Sequence, residues 1–92
     1  MTKSRLTFKV VIVDDESPSR KLLRYLLEKE PDFEIVAESS GGKDAVKAIR
    51  STNPDLVLLD IQMPGMDGFE VIRRLDDASA PYIIFVTAFH EY

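Results

Sequence analysis

The chain has 92 residues, 45% of them hydrophobic and 30% charged, with a formal net charge of −4 and no cysteine. That length allows one domain, and folding at this size buries roughly 60–70% of the unfolded chain's surface. The composition excludes a disulfide scaffold, a thiolate metal site, a membrane span and a basic surface for nucleic acid, and it suits a reducing cytosol.

The basic start, Met1-Thr2-Lys3-Ser4-Arg5, has no long apolar segment behind it, so no signal peptide is expected. Phe8 to Asp14 reads as a first strand, β-branched and apolar. Ser17-Pro18 supplies a cap and a proline at the first helical position. Leu22, Leu23, Leu26 and Leu27 then recur at helical spacing, with Arg20, Lys21, Arg24 and Lys29 on the other face. This helix stops by Glu30, because Pro31 follows. Phe33 to Glu38 alternates in part, as an edge strand does. Gly41-Gly42 breaks the chain, and without a dinucleotide or Walker pattern it reads as a turn. A second helix follows, with Ala45, Ala48 and Ile49 as its apolar stripe. Asn53-Pro54 turns the chain into Leu56-Val57-Leu58-Leu59, a run apolar enough to be buried on both faces. Beyond the loop Asp60-Ile61-Gln62-Met63-Pro64-Gly65-Met66, Asp67 can cap a third helix carrying Phe69, Ile72 and Leu75. Residues 78–81 form a short linker, and Tyr82 to Thr87 is a fourth strand, too apolar to be exposed on either face. Strand and helix alternate throughout, which with right-handed crossovers predicts an α/β fold with a mainly parallel sheet.

In such a sheet, ligands bind in the crevice at the carboxyl ends of the strands. Asp14-Asp15-Glu16 follows the first strand and Asp60 follows the third, so neighbouring strands would bring three carboxylates together. Crowded carboxylates repel, and either protonation or a bound cation relieves them. Oxygen ligands with access to water suit Mg2+, which keeps several waters beside one or two carboxylates. The competing view is that these acids are helix caps and loop residues, which are common after strands. Thr87 ends the fourth strand at the same edge, where its hydroxyl can bond an anion. His90 is the only histidine and, with no ligand partner nearby in sequence, reads as a surface residue. The basic face of the first helix reads as solvated, with room for a protein partner.

The ordered set Asp14-Asp15-Glu16, Asp55 through Asp60 to Pro64 and Gly68, and Phe85-Val86-Thr87-Ala88 resembles the receiver domain of two-component response regulators, over essentially all of residues 1–92. The ending Thr87 to Tyr92 looks most like receivers that precede a LytTR-type DNA-binding domain. The resemblance implies a flavodoxin-like sheet and a phosphoacceptor role for Asp60, which would take the phosphoryl group from a phosphohistidine of a sensor histidine kinase. Asp15 and Asp60 would ligate Mg2+ together with the backbone carbonyl of Gln62, and Asp14 would act through a bound water. Thr87 would be the switch hydroxyl, and the Ala88 amide would contact the phosphoryl oxygens. It also implies a cytoplasmic regulator whose output, most simply transcription, lies outside these residues.

Against the full family pattern, this is an incomplete receiver, β-α-β-α-β-α-β, without the fourth helix, fifth strand and fifth helix. No residue can be assigned to the family's phosphate-pairing lysine or its switch aromatic. Phosphotransfer to Asp60 is therefore expected to be slow or undetectable, since losing one such group commonly lowers the rate by around 10²–10³. Two rivals remain. One is a phosphorylation-independent, receiver-like interaction module. The other is a Mg2+-dependent phosphohydrolase, disfavoured because Gln62 stands where an Asp-x-Asp motif would have its second acid. An incompletely covered sheet ending on an apolar edge strand also predicts self-association, most simply a homodimer.

Overall fold

The computed structural model of the chain describes residues 7–75 and 80–86. Its elements are β1 (Phe8–Val13), α1 (Ser17–Glu28), β2 (Phe33–Ser39), α2 (Gly42–Thr52), β3 (Leu56–Leu59), α3 (Gly68–Arg73) and β4 (Tyr82–Phe85). The four strands form one parallel sheet in the order β2-β1-β3-β4. This is the flavodoxin-like winding, with β2 at one edge and β1 beside β3 at the centre.

Successive side chains of the central strands serve two apolar layers. Val11, Val13, Val57 and Leu59 pack with Ala45, Val46 and Ile49 of α2 and Val71 of α3. Val10, Ile12 and Leu58 form the opposite layer, against Leu23 and Leu27 of α1. Burial on both faces is why β1 and β3 read as unbroken apolar runs.

One helix boundary differs from expectation, and the others stand where the sequence puts them. The N-cap of α1 is Glu16, and its N–H is satisfied by the Asp14 carboxylate at 2.9 Å, so Ser17 is already helical. The four leucines of α1 divide: Leu23 and Leu27 face the sheet, while Leu22 and Leu26 remain 57% and 49% exposed. Adjacent residues on a helix lie about 100° apart, so a doubled stripe cannot all face one sheet. Asn53 ends α2 in the left-handed region (φ 50°), its N–H donating to the Ile49 carbonyl at 2.9 Å, as the Asn53-Pro54 turn predicts. Asp67 caps α3 by accepting from the Glu70 N–H at 2.9 Å. In α3 the fully buried side chain is Val71, whereas Phe69 is 48% exposed and packs at a tilt against Phe85, ring centres 5.2 Å apart.

The expectation for β4 is corrected. Tyr82 and Ile84 are exposed, because β4 is an edge strand and, among the described residues, α1 covers only the far side of their layer; Phe85, on the other face beside Leu59 and Phe69, is 38% exposed.

Candidate functional site

Val13 is in register with Leu59, so the next residues, Asp14 and Asp60, leave the sheet side by side. The Asp60 N–H donates to the Val13 carbonyl at 2.9 Å, and the Asp14 N–H to the Ser39 carbonyl at 3.0 Å. The last sheet-type bonds of three strands thus run directly into the two aspartates. The acids stand where the apolar layers end; one residue earlier, a carboxylate would sit in the core.

Asp14, Asp15 and Asp60 each bring a carboxylate oxygen within 4.8 Å of the other two. Asp14 and Asp60 are buried, at 2% and 4% exposure, while Asp15 is partly open to solvent. Burial pushes the Asp60 carboxyl above the ordinary aspartate range. The Gln62 N–H, donating to Asp60 Oδ1 at 3.2 Å, opposes this, while the charges of Asp14 and Asp15 and the Asp15 side chain add to it. Among the described residues, none of the three aspartates has an ion pair with lysine or arginine. A hard-oxygen donor set with surplus negative charge and one solvent-open member could hold a divalent cation, completed by water.

The loop after Asp60 is held tightly. Gly65 takes a positive φ of 85°, and the Gly68 N–H donates to the Ile61 carbonyl at 2.9 Å. A Cβ at Gly68 would lie 2.7 Å from the Asp60 carbonyl oxygen and 3.1 Å from Ile61 Cα. Only glycine lets the start of α3 approach the Asp60 loop this closely. Sequence reasoning counted Gly68 in the receiver motif, just after the capping Asp67, but gave no reason for a glycine there. Its signal was a glycine directly after a capping aspartate, where a better helix former is usual.

Thr87, Ala88 and His90, and the segment that carries the LytTR resemblance, lie outside the described residues. The last described residue of that strand, Val86, donates its N–H to the Leu59 carbonyl at 2.9 Å, at the edge of the sheet that carries Asp60. A cavity of about 720 Å³ opens at the opposite end of the strands, lined by Phe8, Phe33, Leu56, Tyr82 and Ile84 among others. It is an apolar hollow below an exposed edge, at the far end of the strands from the carboxylates.

The family model of the response regulator receiver domain matches residues 10–92. An uncharacterized response regulatory protein of Yersinia pestis is 50% identical over 84 residues, covering 91% of this chain and 35% of its own length. The transcriptional regulatory protein BtsR of Salmonella typhi is 48% identical over the same extent. This chain thus spans about a third of the length of these relatives. Among solved structures, it superposes with TM-score 0.79 and 32% identity on a chain from the complex of the CheA3 P1 domain with CheY6 of R. sphaeroides, covering 91% of this chain and 66% of that one. With the sheet order, the paired strand ends and the acidic pocket agreeing, the chain belongs to the response regulator receiver domain family.

Proposed function

We propose that residues 1–92 act as the phosphoacceptor part of a two-component receiver, with Asp60 as the acceptor. The observation that carries this reading is the convergence of Asp14, Asp15 and Asp60 at adjacent strand ends, with Asp60 buried at the sheet's carboxyl edge. An oxygen of Asp60 attacks phosphorus, the P–N bond of a phosphohistidine breaks, and the imidazole departs with the bonding pair. Asp15 and Asp60, with the Gln62 carbonyl, would hold Mg2+ directly and Asp14 would hold it through water; when bound, the ion supplies the charge neutralisation that phosphoryl transfer needs. The Gln62 N–H on Asp60 Oδ1 orients the carboxylate, leaving the other oxygen for attack. Thr87 and the Ala88 amide would receive the phosphoryl oxygens and signal onward.

The donor is a sensor histidine kinase, a reading supported by the solved complex of the CheA3 P1 domain with CheY6, and the setting is cytoplasmic. The regulated output is transcription, in keeping with the BtsR relatives. The role is that of a signal acceptor, not of an enzyme for external substrates. Tyr82 at 82% and Ile84 at 51% exposure, on an edge strand, further favour a homodimer in which a second copy covers that edge. The phosphoacceptor reading is tested by intact mass after incubation with Mg2+ and a small phosphodonor. One phosphoryl group should add slowly to the wild type and none to Asp60→Asn. Equal addition to both would overturn Asp60 as the acceptor and favour the docking-module alternative.

A further inference from the structure

The register between β1 and β2 shifts between Val10, which faces Ile35, and Val11, which faces Ala37. The extra residue is Val36, and Val36 and Ala37 both pack on the α2-side layer. Every later side chain of β2 therefore changes face. Glu38, in register with Ile12 of the α1-side layer, turns toward α1; unbroken alternation from Ile35 would have aimed it at α2. On the α1 side its carboxylate accepts from Arg24 Nη1 at 2.9 and 2.7 Å and lies 3.8 Å from Arg20 Nε. Arg20 Nη1 donates in turn to the Asp14 carbonyl at 2.7 Å. The Asp14 N–H is already bonded to Ser39, the residue after Glu38. Asp14 is thus tied to the end of β2 twice, once directly and once through the Glu38–Arg20 arm.

We infer that Arg20, oriented by Glu38, is a positioning residue for the acidic pocket: it fixes the Asp14 carbonyl and keeps the Asp14 and Asp15 carboxylates converged on Asp60. This rests on the reading of the pocket as a divalent-cation site. Two physical effects of removing Arg20 have opposite signs, which makes the inference decidable. A guanidinium near a cation site repels the cation, so loss of its charge alone would tighten binding. Loss of positioning lets the Asp14-Asp15 limb splay, and binding weakens. Removing a group that orients a metal ligand typically weakens the metal by about 10–100-fold.

The test is a Mg2+ titration of the 92-residue chain, followed by amide NMR shifts, for the wild type, Arg20→Ala, Arg20→Lys, Arg24→Ala and Asp15→Asn. Arg20→Ala should weaken Mg2+ by about 10-fold. Arg20→Lys, which keeps the charge and one donor, should fall between the two. Arg24→Ala removes the closer ion pair to Glu38 but touches no pocket backbone, so it should bind Mg2+ as the wild type does. Unchanged or tighter binding in Arg20→Ala overturns the inference, as does an equal loss in Arg24→Ala, which would mean general loosening. If Arg20→Ala does not fold, Arg20→Lys decides: weaker binding supports positioning, and wild-type affinity overturns it. A wild type that does not respond to Mg2+ defeats the cation reading and this inference with it. Wild-type binding that is lost in Asp15→Asn but kept in Arg20→Ala defeats the positioning role alone.

Discussion

Asp60 is asked to be buried and charged at once, and its raised pKa is the measure of that conflict. A carboxyl whose folded-state pKa lies above its unfolded value of about 3.9 favours folding most at pH below that value. The contribution is lost as pH rises through the folded-state pKa. Near neutrality, without a cation, ionised Asp60 therefore opposes folding. Asp60→Asn should raise the melting temperature of the cation-free chain at pH 7 and flatten its decline as pH rises above about 4, with each recovered kcal/mol worth about 4–8 °C for a domain this small. Thermal melts across that range, in the presence of a chelator, check it. Gly68 presents the converse case, a residue with no chemistry that is needed for its lack of a side chain. Gly68→Ala should destabilise the fold by about 1–3 kcal/mol and move the Asp60 loop, because the new methyl meets backbone atoms that cannot swing aside. Denaturant melts give the first effect and amide shifts at Asp60 and Ile61 the second.

For the elements, α1 offers a sharp comparison. Leu23→Ala and Leu27→Ala should each lower stability by about 2 kcal/mol, whereas Leu22→Ala and Leu26→Ala should change it by less than about 0.5 kcal/mol. Equal losses in all four, measured by urea melts, would mean that Leu22 and Leu26 are also covered in solution. The same helix shows what could be read from sequence. Strand and helix positions were legible because burial on both faces leaves runs such as Val10 to Val13 with no polar interruption. The acidic site was legible because carboxylates closing two such runs have few other places to go. Which leucine pair faces inward was not legible, since two adjacent pairs with the same spacing differ only in what lies opposite. The Val36 bulge was hidden for a similar reason: Phe33 to Glu38 fits either face, and pairing with β1 decides. Arg20 escaped notice because its role depends on that bulge, through Glu38, and on the loop of Asp14. Local pattern carried the elements, and contacts across strands carried the details.

Across the whole molecule, the two apolar layers are unequally covered. α2 and α3 close one, and α1 alone covers the other among the described residues, leaving Tyr82 and Ile84 bare beside Leu56. Surface of this kind on an unpaired edge invites a partner. Light scattering at micromolar concentration should give a mass above that of one chain, and Ile84→Lys should lower it to the monomer. A monomer mass for the wild type, with a cooperative melt, would defeat self-association. The carboxyl edge of the sheet tells the more consequential story, for there the fold concentrates negative charge that only a cation or a proton can offset. The most direct measurement is a Mg2+ titration of the chain followed residue by residue through its amide shifts, beside Asp60→Asn. Saturable shifts at millimolar Mg2+, confined to Asp14 to Glu16 and Asp60 to Gln62 and weakened in the variant, are the predicted result. Shifts that are absent, or that are the same in Asp60→Asn, would contradict the assignment of these aspartates to one phosphoacceptor pocket.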